Sequence, residues 1–102
     1  MERNNARHLL ALEQKRRTIN QETIGPEVLM SAVEDVTPIL TMVAEVRAAY
    51  LKSLFTLANN RDGMPTPKQI DELRHLRRSY KELVDATNAL ETAMERGYIS
   101  VA

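Results

Sequence analysis

Cysteine and tryptophan are both absent from this chain of 102 residues, phenylalanine occurs once, and there are only three glycines. Without cysteine there is no disulfide framework and no thiolate metal site. So few glycines, none of them clustered, exclude a glycine-rich phosphate loop. Aromatic residues make up 4% of the chain, too few to build a platform on which successive bases could stack. Charge of one sign is lacking too. Fourteen basic and fourteen acidic residues cancel, which argues against a surface built as a whole for nucleic acid. Long apolar runs are missing as well, because Glu34, Asp35, Glu45 and Arg47 punctuate the most hydrophobic part, so no membrane insertion is expected. The amino-terminal MERNNARHLL is charged and carries neither an apolar run nor a small-residue cleavage site. No secretory signal is therefore expected, and the chain reads as soluble and cytoplasmic.

What remains is helix-forming sequence, and the whole chain, residues 1–102, reads as a single helical domain. Asn4 or Asn5 can cap a first helix to about Gln21, whose apolar positions Ala6, Leu9, Leu10, Leu12 and Ile19 form a thin stripe. The most apolar stretch follows. Pro26 suits a first-turn position, and Leu29, Val33, Val36, Leu40, Val43, Tyr50, Leu54 and Leu57 recur at steps of three and four, interrupted by Arg47. The spacing predicts one helix over 26–60, roughly 50 Å long, kinked or broken near Pro38, where proline removes a backbone donor. Asn59 and Asn60 with Asp62 and Gly63 end it.

The third helix, 67–96, has the clearest start. Thr66 and Gln69 fit the capping box, Leu73, Leu76, Tyr80, Leu83, Thr87, Leu90 and Met94 keep a strict heptad seam, and Gly97 is the stop. The short connection between the second and third helices makes them antiparallel neighbours. The expected fold is therefore all-α: an elongated three-helix chain built on a long antiparallel hairpin, with a short tail over 97–102. That tail can add to a partner as an extended segment, or pack Tyr98 and Ile99 on its own bundle.

A second apolar row, Val28, Ala32, Ile39, Met42, Val46 and Ala49, runs beside the first on the central helix. A hairpin covers only one side. With about four large side chains at roughly 1.5–3 kcal/mol each, leaving that row in water forgoes on the order of 6–12 kcal/mol, so self-association into a bundle is expected, a dimer before larger forms.

Three other constellations compete with this reading. Glu72 and His75 have the Glu-x-x-His spacing of di-iron bundles, but the seam through Leu73 and Leu76 turns His75 towards solvent and supplies no facing acid. No metal and no cofactor is expected. Arg74, Arg77, Arg78 and Lys81 form a basic cluster able to contact phosphates, although Asp71, Glu72, Glu82 and Asp85 flank it, so that Arg78 can pair with Glu82 and Lys81 with Asp85. A smaller cluster, Lys15, Arg16 and Arg17, lies on the first helix. Arg47, finally, stands inside an apolar seam, where a cation can grip an anionic substrate, snorkel, or pair with a carboxylate such as Glu45. No serine–histidine–acid arrangement and no second inward acid or base accompanies it.

The function expected is thus binding without catalysis: a self-associating assembly subunit, adaptor or regulator, with a homo-oligomer or another protein as partner and no small-molecule substrate. A nucleic-acid-associated dimer is the first alternative. A small helical-bundle enzyme with an anionic substrate is the second.

Overall fold

The computed structural model of the chain describes residues 2–60 and 62–101. Met1, Arg61 and Ala102 lie outside the described residues, and with Ala102 the last position of the expected tail. Helix α1 covers Glu2–Ile24, α2 covers Thr37–Asn60, and α3 covers Pro67–Glu95, with a single 3-10 turn at Val33–Val36 before α2. The fold is all-α with a helical hairpin. Two compact units divide the chain: Met1–Asp35 with Ala89–Ala102, and Val36–Asn88.

In the first unit, α1 begins earlier than Asn4 or Asn5 would set it, so both asparagines stand in its first turn rather than at the cap. Its end is sharply made. Gly25 donates its N–H to the Gln21 carbonyl at 3.1 Å, and the Ile24 carbonyl accepts from Glu27 at 3.0 Å and Val28 at 2.9 Å. Pro26 has no N–H to offer and closes this turn, as proline commonly does after a helix. A Cβ on Gly25 would come within 2.7 Å of the Gln21 carbonyl oxygen, so this position has no room for a side chain.

The central helix over 26–60 is corrected here. Residues 25–32 are not helical, and the break falls before Pro38, not at a kink in a continuous helix. The reason is local. Both Pro26 and Pro38 suit a first turn, and the chain uses Pro38 for that purpose, as the second residue of α2. Upstream, the Asp35 carboxylate accepts the N–H groups of Ser31 at 2.7 Å and Ala32 at 3.3 Å. These are donors that a continuing helix would have kept for its own carbonyls.

Within the second unit the start of α3 is as its sequence predicts. Gln69 donates its N–H to the Thr66 hydroxyl at 3.2 Å, and the Gln69 side chain accepts from the Thr66 N–H at 2.9 Å. Gly63, with φ of 83°, shapes the turn before it. Every member of the seam from Leu73 to Met94 is half-buried; Leu90 and Met94 belong to the part of α3 that lies in the first unit.

The other end of α3 closes the first unit. Gly97 adopts φ of 74°, the left-handed conformation that glycine takes without steric penalty. Its N–H reaches the Met94 carbonyl at 3.1 Å while that of Tyr98 reaches Ala93 at 2.8 Å, the paired bonds of a Schellman motif. Tyr98 and Ile99 follow and are the buried residues among those described, 7% and 5% exposed. The tail thus packs in its own unit. Gln21 donates to the Gly97 carbonyl at 3.2 Å, and Val101 forms a parallel bridge with Met30.

Candidate interaction surface

A helix with apolar residues on several faces has no intrinsic preference for which face to bury; its partner decides. On α2 the half-buried residues are Ile39, Val43, Val46, Tyr50, Ser53 and Leu57, a heptad row of alternating four- and three-residue steps. This corrects the expected seam. Leu40 and Leu54, assigned to it, are 52% and 49% exposed. The reason lies in phase: one residue is a rotation of about 100°, and two heptad rows, one residue out of step, both satisfy the spacing rule.

The expected contact row divides accordingly. Ile39 and Val46 belong to the half-buried row, Met42 at 43% exposed and Ala49 lie on an exposed flank of α2 beside it, and Val28 and Ala32 belong to the non-helical segment of the first unit. In their place another row lies open. Leu40, Ala44, Arg47, Leu51, Leu54 and Ala58 repeat by four and three along α2 and are all exposed, with Phe55, 69% exposed, beside them.

Arg47 punctuates this open row, but its cationic end is already engaged. The guanidinium lies over the Tyr80 ring, 5.2 Å from its centroid, and its Nε donates to the Tyr80 hydroxyl at 2.9 Å. Tyr50 leans on the same ring at 6.1 Å between centroids. The partner is therefore an aromatic hydroxyl on α3 and not the carboxylate suggested by sequence proximity. Beside this cluster runs a shallow cleft lined by Tyr50, Arg77, Tyr80, Lys81, Val84 and Asp85, in which Asp85 pairs with Lys81 and Arg77 has no ion pair among the described residues.

The basic cluster of α3 is exposed, and half of it is neutralised within the helix. Arg74 pairs with Asp71 at 2.7 Å and Lys81 with Asp85 at 3.1 Å. Arg77 and Arg78 make no ion pair among the described residues, so the expected Arg78–Glu82 pair does not form. Arg16, from the smaller cluster of α1, pairs with Glu13 at 2.9 Å. Such exposed pairs contribute little to stability, about 0–1 kcal/mol. Glu72 and His75 are both exposed and line different clefts. Among the described residues no group of three or more histidine or acidic side chains is placed to hold a metal ion, and no helix is long and apolar enough to cross a membrane.

In the first unit the Tyr98 ring is enclosed, and its hydroxyl lacks a hydrogen-bond partner of acceptable geometry. The Arg96 side chain, and after it the Asn20 amide, nevertheless favour the phenolate and hold its pKa below the ordinary tyrosine value. Arg96 is correspondingly harder to deprotonate beside Tyr98. On α1 the stripe of Leu9, Leu10, Leu12 and Ile19 is 50–65% exposed.

Compared with known proteins, the chain matches no family model, no curated protein and no solved structure.

Proposed function

We propose that the chain is a non-enzymatic protein–protein interaction module that self-associates, as an assembly subunit, adaptor or regulator in the cytoplasm. One observation carries this reading. The open row of α2 holds Leu40, Leu51, Leu54 and Phe55 at 47–69% exposure along a single helix face, and contiguous apolar surface of this kind marks interaction sites more often than scattered residues do. The open stripe of α1 supports it from a separate unit.

Nucleic-acid binding fits the same surfaces less well, because Arg74 and Lys81 already have carboxylate partners. An enzyme reading needs an uncommitted Arg47, whereas Tyr80 holds it through ring and hydroxyl. The test is molar mass in solution by light scattering across a dilution series. A dimer or larger species that dissociates on dilution is expected. A well-folded monomer at every concentration refutes self-association.

A further inference from the structure

The geometry points to an antiparallel pairing of α2 with α2 of a second copy of this chain, through Leu40, Ala44, Arg47, Leu51, Leu54 and Ala58; this inference rests on the self-association proposed above. Two complete heptad rows run along α2. The row from Ile39 to Leu57 is half-buried, and the row from Leu40 to Ala58, one residue later throughout, is exposed. Rows one residue apart differ by about 100° around a helix. That is the angle between the two neighbours of a helix at the corner of a four-helix bundle. In the second unit α3 supplies one neighbour, and the other position is open.

The order of residues in the open row selects both the occupant and its direction. Around a two-fold axis between Arg47 and Leu51, antiparallel pairing sets Leu40 opposite Ala58 of the copy, Ala44 opposite Leu54, and Arg47 opposite Leu51. Large side chains thus meet small ones in every outer layer, the alternation that lets two surfaces interdigitate. Parallel pairing sets leucine on leucine, alanine on alanine, and Arg47 directly on Arg47.

Antiparallel pairing offsets the two Arg47 residues by four positions, about 6 Å along the axis, and each guanidinium already leans onto Tyr80 of α3. Leu51 of the copy then covers the aliphatic stem of Arg47 rather than its charge.

Charge also argues against α1 as the occupant. Its Arg7, Lys15 and Arg17, which make no ion pair among the described residues, would be brought towards a margin that already holds Arg47 and Arg77.

Area sets the strength. The open parts of Leu40, Leu51, Leu54 and Phe55 amount to on the order of 200–350 Å² of apolar surface per chain. With the usual polar share this stays below the roughly 800 Å² per partner of a standard interface. The pairing therefore belongs to the weaker, reversible class.

The absence of cysteine makes oxidative cross-linking a clean test. Ala44→Cys and Leu54→Cys are prepared singly, checked for unchanged helicity, and oxidised alone and as a mixture, beside light scattering of the unmodified chain. Antiparallel pairing predicts a cross-linked heterodimer in the mixture and none in either variant alone, because two copies of position 44 then lie about 15 Å apart along the axis, beyond disulfide reach. A second pair, Leu40→Cys with Ala58→Cys, repeats the test if either first variant fails to fold.

Cross-linking of Ala44→Cys with itself overturns the antiparallel direction and leaves self-association standing. A dimer that no pair cross-links overturns the α2 face and points to another surface, the α1 stripe first. A monomer at all concentrations overturns the inference together with the proposed function.

Discussion

Replacing Leu51 by aspartate should weaken self-association while sparing the hairpin. Leu51 is 47% exposed, so about half of its burial, roughly 0.7–1.4 kcal/mol of a full 1.5–3 kcal/mol, remains to be gained in a complex. Each dimer contains the residue twice, and loss of this term alone comes to about 1.4–2.8 kcal/mol. Since about 1.4 kcal/mol is a factor of ten, the apolar loss weakens association roughly 10- to 100-fold. Desolvation of the two carboxylates is offset by Arg47 of the other copy, which the antiparallel pairing sets opposite position 51, so the expected total stays at about 10- to 100-fold. The folded chain should tolerate the change, because the side chain is not part of the row half-buried against α3 and the helix-propensity cost is only about 0.5 kcal/mol.

Met42→Asp is the matched control: Met42 is 43% exposed on a different face of α2. Light scattering and sedimentation over a dilution series read the dissociation constant, and far-UV circular dichroism reads helicity. Equal weakening by both substitutions, or none by Leu51→Asp, would refute the assignment of the α2 face. Loss of helicity in Leu51→Asp would show instead that Leu51 is needed inside the unit.

Other consequences concern the first unit. Gly97→Ala forces a Cβ into φ of 74° and should destabilise by about 1–2 kcal/mol, seen as a lower denaturation midpoint. Ile99→Ala truncates a buried side chain, 5% exposed, and should cost about 2–5 kcal/mol, with loss of amide protection around Gln21 and Met30. Tyr98 should ionise below the ordinary value of 10.0 in an alkaline absorbance titration, and Arg96→Met should move it back up. Its lowered value means that the unfolded chain holds this proton longer. The contribution of Tyr98 to stability is therefore complete above pH 10.0 and is lost as pH falls through its folded value.

Sequence alone made the ends of α3 legible, because they depend on neighbours. The reciprocal bonds of Thr66 and Gln69 and the positive φ of Gly97 arise within a few residues, and the α3 seam has only one apolar row to choose. Features that depend on distant partners were less legible. Pro26 and Pro38 are equally good first-turn residues, and their competition was decided by Asp35 capturing the Ser31 and Ala32 amides. On α2, two apolar rows one residue apart made the phase ambiguous, so the exposed row was expected to include Ile39 and Val46 and lies instead along Leu40, Leu51 and Leu54. The pairing of Arg47 with Tyr80 spans 33 positions and leaves no short-range signal, although one arginine in one apolar helix facing one seam tyrosine was the available clue.

The division of the chain also orders its biosynthesis. Residues Val36–Asn88 form a unit from one continuous stretch, whereas Met1–Asp35 forms its unit with Ala89–Ala102. Local contacts form fastest, since closing a longer loop costs more entropy. On a ribosome the hairpin can fold while α1 is still waiting for Tyr98 and Ile99 to be made. For that interval Asn20 and Ile24, half-buried in the finished chain, have no native surface to meet. A nonsense codon at Tyr98 would make the interval permanent: the α2–α3 pair would persist beside a unit that never closes, a form recognisable to proteases at its first thirty-five residues.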